Sequence, residues 1–149
     1  MTRDELIALA KEIANAWNLF PEVVCGMIER ESSWDPWVIR YEPAFFLRYI
    51  EKLIANQMVH DATEARARSF SWGLGQVMGE LARELGYTGH LAMLCDPQTG
   101  ITWLCRALVR KLKSQNGNLH DALQAYNGGA NPNYADEVLA LAEKYKVIP

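Results

Sequence analysis

Glu31 is the residue of this chain whose type and position most directly offer chemistry. Val24, Met27, Ile28 and Glu31 recur at i, i+3, i+4 and i+7, so the carboxyl extends the apolar stripe of a short helix. Its neighbours Glu29 and Arg30 turn toward the polar side. A carboxyl on a buried face is costly to ionise, so it stays protonated or finds partners. Protonated near neutral pH, it is a general acid. Satisfied by a backbone amide or an arginine, it is only a partly buried structural glutamate. Two other segments carry groups of interest. Ser71-Trp72-Gly73-Leu74-Gly75-Gln76 sets two glycines around one leucine, which favours a tight, irregular backbone ending in an amide. Ala125-Tyr126-Asn127-Gly128-Gly129 places a phenol and an amide where a helix should stop. Taken singly, Ser32 reads as a helix cap, Gln76 as a solvent-facing amide, Tyr126 as core and Asn127 as part of a C-cap.

The elements that must position these groups read as helices. Thr2 and Glu5 form a capping box, and Leu6, Leu9, Ala10, Ile13 and Trp17 make one apolar face. Pro21 suits the first turn of a second helix, which carries Glu31 and ends before Asp35-Pro36. Pro43 opens a third, with Phe46, Leu47, Ile50, Leu53 and Ile54 as its stripe, and Asp61 with Glu64 caps a short Ala/Arg-rich one. A helix is expected from about Val77 to Gly86. Asp96-Pro97 reads as cap and first turn of a long helix carrying Ile101, Leu104, Cys105, Leu108 and Leu112. Asn118 caps a helix to about Tyr126, and Tyr134 to Lys146 forms the last. Apart from a short hairpin near residues 66–72, no strand is expected. The fold class is all-α: one compact domain of seven or eight helices spanning residues 1–149.

Composition narrows the function classes. The chain has 149 residues, enough for one core, and is 50% hydrophobic and 22% charged. A formal net charge of −3 gives no basic footprint for nucleic acid. No apolar run approaches the roughly 18 residues of a membrane span. Met-Thr-Arg-Asp-Glu-Leu-Ile lacks a secretory pattern, so the mature chain is expected to start there. Cys25, Cys95 and Cys105 are an odd, widely spaced set that argues against disulfides, and Cys25 reads as a small core residue. His60, His90 and His120 form no metal-ligand spacing with one another or with the cysteines. Neither a metal nor another cofactor is expected, and a monomer is.

In order and spacing the three segments resemble the soluble (SLT-type) lytic transglycosylases of glycoside hydrolase family 23, relatives of the goose-type lysozymes. That family's signature is Glu-Ser with a nearby aromatic and Asn/Asp-Pro, then Gly-Leu-Met-Gln, then Ala-Tyr-Asn. Here those read Glu31-Ser32-Ser33-Trp34-Asp35-Pro36, Gly73-Leu74-Gly75-Gln76 and Ala125-Tyr126-Asn127. The resemblance covers roughly residues 20–140. Gly75 stands where the family has a groove-lining Met, and the stretch between Glu31 and Gln76 is longer than usual, with extra chain at about 41–68.

The resemblance implies a lysozyme-like fold and cleavage of the β-1,4 bond between N-acetylmuramic acid and N-acetylglucosamine in peptidoglycan. Glu31 would protonate the glycosidic oxygen and then take the C6 hydroxyl proton, closing a 1,6-anhydro ring with the N-acetyl group in place of a second carboxylate. By position, Ser32 would bond the N-acetyl group, Tyr126 would set its hydroxyl against Glu31, and Gln76 and Asn127 would offer amides to sugar hydroxyls. Gly73 and Gly75 would let the backbone approach the glycan, and Trp34, Trp72 and Tyr41 would stack on sugar faces. A water-using muramidase is the rival. It needs a second carboxylate roughly 6.5–9.5 Å away, with Glu42 the foremost candidate because it sits among aromatics, and Glu80 and Asp35 behind it. A non-catalytic glycan-binding virion module is the rival of another class. A one-domain wall enzyme of this kind suggests a phage or prophage source: an endolysin made in the cytoplasm and released to the murein, or an enzyme carried in the virion.

Overall fold

The computed structural model describes residues 1–146. Helix α1 (Arg3–Ala16) opens on the expected reciprocal box: Glu5 N donates to Thr2 Oγ1 and Thr2 N to the Glu5 carboxylate. Helix α2 (Pro21–Ser32) follows, with proline in its first turn and Ser33 closing it in the left-handed region. Val23 to Ile28 are buried all the way round, so α2 is the central helix of the fold. Its three largest buried apolar side chains, Val24, Met27 and Ile28, each contribute about 1.5–3 kcal/mol by leaving water.

Two helix backbones approach closely at Gly26. A Cβ there would sit 2.7 Å from the Val138 carbonyl oxygen of α9 (Tyr134–Ala142) and 3.0 Å from Ala142 N. The buried face of α9, made by Tyr134, Ala135, Val138 and Ala142, meets α2 there. The bond from Trp34 Nε1 to the Tyr145 hydroxyl, 2.9 Å, ties down the chain beyond α9. The Arg30–Glu137 pair, 2.5 Å, is half-exposed and worth only about 0–1 kcal/mol.

The helical reading needs one addition, a small antiparallel sheet of β1 (Ile39–Tyr41), β2 (Phe70–Trp72) and β3 (Val77–Met78) in that order. Strands of two or three residues are too short to leave an alternating pattern. Arg40 pairs with Ser71 and Ser71 with Met78, so these three share one face; Tyr41 with Phe70, and Ile39 with Trp72 and Val77, occupy the other. Pairing of Val77 and Met78 with β2 delays helix α6 to Gly79–Glu84.

Between β1 and β2 lie α3 (Pro43–Phe45), a π-helical stretch over Phe46–Ile50, α4 (Glu51–Ala55) and α5 (Ala62–Arg68). They enclose a second small core of Phe46, Ile50, Val59 and Ala65. The wider π turn shifts the expected stripe: Phe46 and Ile50 are buried, but Leu47 and Ile54 face solvent. Asp96 caps α7 (Pro97–Ser114) and Asn118 caps α8 (Leu119–Tyr126), as expected. All three cysteines are free and buried; burial pushes Cys25 up to about 11 and Cys105 up to about 12, leaving both inert as nucleophiles. No helix among the described residues is long and apolar enough to cross a membrane.

Because Gly26 meets backbone rather than a flexible side chain, Gly26→Ala is expected to cost about 1–3 kcal/mol. Thermal denaturation of the variant measures it, and an unchanged midpoint would show that α2 and α9 can separate freely.

Candidate active site

A cleft of about 370 Å³ opens between the central helices and the small sheet. Glu31 enters it from the last turn of α2. Arg40, Ser71 and Met78 form its sheet wall, and Glu42 and Phe45 continue that wall from the start of α3. Gln76 lies at its floor, and Tyr126, Asn127 and Ala130 close the side from the end of α8. The cleft therefore brings together Glu31, Gln76, Tyr126 and Asn127, one from each or two from a single segment of the three recognised in the sequence.

Glu31 is half-buried, and its partner is Tyr134, whose hydroxyl donates to Oε1 at 2.6 Å. Burial pushes the Glu31 carboxyl above the usual range; the Tyr134 bond and the positive charges of Arg30 and Arg40 oppose this without overcoming it. The Tyr134 phenol is itself driven far up, first by burial and then by the Glu31 charge, so it remains a donor. The expected Tyr126 contact is replaced. The Tyr126 hydroxyl donates to the Gly75 carbonyl at 2.6 Å, which holds the loop before Gln76 against α8. Tyr134 was not singled out in the sequence. Its signal was the stripe Tyr134, Val138, Ala142, which marks the face of α9 that packs on α2 without naming the carboxyl it would meet.

Gln76 is 8% exposed and sits at φ 48°. Its amide nitrogen donates to Val38 O at 2.9 Å and Gly73 O at 3.0 Å. Those two carbonyls fix the amide orientation and leave the carbonyl oxygen buried, without a partner among the described residues. Gly73 N also donates to Val38 O, at 2.8 Å. Gly73 itself must be glycine: φ is 64° and a Cβ would lie 2.4 Å from Leu94 O. A Cβ on Gly75 would point at Leu104 in the core, 2.9 Å away, so a side chain there would not reach the cleft. Met78 is the methionine that lines it.

Other expected site residues lie elsewhere. Ser32 is buried with its hydroxyl donating to Ile28 O at 3.1 Å, a turn back along its own helix. Trp34 is buried against Tyr145. Trp72 and Tyr41 occupy the sheet face opposite the cleft: Trp72 Nε1 donates to Ala67 O at 3.0 Å, and Tyr41 packs on Phe70 and Phe46. Besides Tyr126, the aromatic ring that lines the cleft is Phe45, which packs tilted against exposed Tyr49 with ring centroids 4.8 Å apart.

The candidates for a second acid separate clearly. Asp35 Oδ1 accepts from Trp37 N in a turn. Glu80 bonds Arg68 at 3.3 Å in a network with Glu64 and Arg83, outside the cleft. Glu42 lines the cleft, and its carboxylate has no hydrogen bond or ion pair among the described residues. Asn127 Oδ1 accepts from Asn131 N at 2.7 Å, leaving its amide NH2 for a ligand.

A family model described as "Muramidase: N-acetylmuramidase" matches residues 40–135, from β1 to the first turn of α9. The match includes Arg40, Glu42, Gln76, Tyr126, Asn127 and Tyr134, and starts nine residues after Glu31. No curated protein and no solved structure matches the chain.

The Tyr134 bond favours the ionised carboxylate, so Tyr134→Phe should raise the Glu31 pKa further. If Glu31 must be protonated to work, the alkaline limb of the pH–rate profile moves to higher pH in that variant. A limb that stays in place would separate Glu31 from the rate.

Proposed function

The chain belongs to the muramidase (N-acetylmuramidase) family, a lysozyme-like group that degrades peptidoglycan, and from that premise we propose that it hydrolyses the N-acetylmuramic acid–N-acetylglucosamine β-1,4 bond using two carboxyls. The observation that carries this reading is the pairing within one cleft of a carboxyl whose pKa burial raises, Glu31, and an unpartnered one, Glu42. Glu31 gives its proton to the glycosidic oxygen as the C1–O4 bond breaks and positive charge develops on the sugar ring. Glu42, on the sheet wall, accepts a proton from the water that attacks C1. The products are a reducing N-acetylmuramic end and a free 4-hydroxyl on N-acetylglucosamine. Glu42 returns its proton to solvent and Glu31 takes one up, which restores the starting state. On this reading the place of action is the murein layer, reached by release from the cytoplasm or delivery in a virion.

A second reading rests on the order of the Glu-Ser, Gly-Leu-Gly-Gln and Ala-Tyr-Asn segments: Glu31 acts alone and the product is the 1,6-anhydro sugar.

Mass spectrometry of muropeptides released from purified peptidoglycan distinguishes the two. The hydrolytic reading expects reducing ends; a clean anhydro population, one water lighter, overturns it. Glu31→Gln is expected to lower the rate by at least about a hundredfold under both readings, and Glu42→Gln by a similar factor under hydrolysis alone. Wall binding by a folded wild type that releases nothing would contradict both in favour of a binding module.

A further inference from the structure

Arg40 occupies an unusual position for a cation. It projects from the cleft face of β1, level with Ser71, into a cleft that also holds Glu31 and Glu42, yet it forms an ion pair with neither. Among the described residues its guanidinium makes no hydrogen bond and covers no aromatic ring. The other arginines are engaged: Arg3, Arg30, Arg68, Arg83 and Arg110 with carboxylates, Arg66 with the Tyr41 hydroxyl, and Arg48 and Arg106 over aromatic rings. Five donors in a rigid fork stand open where the substrate would lie.

The chemistry of that substrate says what they would meet. The sugar rings and N-acetyl groups of a glycan strand are neutral. Negative charge sits on the lactyl arm at C3 of N-acetylmuramic acid, either as the arm's own carboxylate when no peptide is attached or as carboxylates of the attached peptide. A guanidinium is shaped for a two-point bond to a carboxylate. We propose that Arg40 binds a carboxylate of the lactyl–peptide arm and so fixes the register of the strand, placing N-acetylmuramic acid rather than N-acetylglucosamine beside Glu31. This inference rests on the proposed glycan substrate and deepens it. Arg40 is then a specificity residue, and strands without the acidic arm bind without its help.

The test is calorimetric binding in the Glu31→Gln background, which requires no turnover. Three ligands are compared: soluble peptide-bearing strands, strands stripped to the free lactyl carboxylate, and stripped strands whose carboxylates are converted to methylamides. Adding Arg40→Gln is expected to raise Kd about tenfold on at least one acidic ligand and leave it within about twofold on the amidated one. Loss on stripped strands identifies the lactyl carboxylate; loss confined to peptide-bearing strands identifies the peptide's. Arg40→Lys should recover part of the loss, since it keeps the charge but not the fork. Equal losses on all three ligands, or none, overturn the proposal. The proposed function is judged apart from this, by whether the wild type releases muropeptides at all.

Discussion

The contact between α2 and α9 is the constraint on which the site depends. Gly26 lets the two backbones approach to a distance that excludes any side chain, and that approach sets Tyr134 against Glu31. One helix supplies the acid and the other supplies the hydroxyl that orients it. Their shared apolar face supplies the burial that raises the pKa of the acid. The terms oppose one another in a useful way. Burial alone would leave the carboxyl reluctant to release its proton, whereas the phenol and the nearby arginines favour the ionised form once the proton has left. Under the proposed function, a group that gives and regains a proton within one cycle benefits from both.

The small sheet does a different job. Its side-chain alternation sorts one short stretch of sequence into two environments. Arg40, Ser71 and Met78 reach the cleft, while Tyr41, Phe70, Trp72 and Val77 cover the opposite side. The Gln76 amide clasps Val38 and Gly73, and Gly73 N reaches the same Val38 carbonyl, so the β2–β3 turn is locked to the chain entering β1. That lock fixes the sheet wall, with Arg40 and Glu42, relative to the floor.

What was legible in the sequence follows from the length of each signal. Helices with caps and several turns, such as α1, α7 and α8, announced themselves because capping residues and a 3.6-residue stripe agree over many positions. Glu31 was legible as a charged residue that continues the apolar stripe of a short helix. Of the sheet, only the hairpin region near residues 66–72 was legible, because strands of two or three residues carry no periodicity. That failure misassigned Tyr41 and Trp72, which turn on a one-residue alternation, and hid Arg40. Ser32 and Trp34 were placed by analogy with a motif, whereas here Ser32 bonds back to its own helix and Trp34, past the helix end, packs inward on Tyr145. Tyr134 was visible only as a buried position of α9, because its partner lies 103 residues away in the chain.

The central claim is that the position of Glu31 between α2 and α9 raises its pKa above the ordinary carboxylate range. Carbon-13 NMR titration of side-chain carboxyls in glutamate-labelled protein, with Glu31→Gln used to assign the resonance, measures this directly. The account predicts one glutamate signal, absent from the variant, whose midpoint lies above those of the exposed glutamates. A Glu31 signal titrating with the exposed glutamates would contradict it.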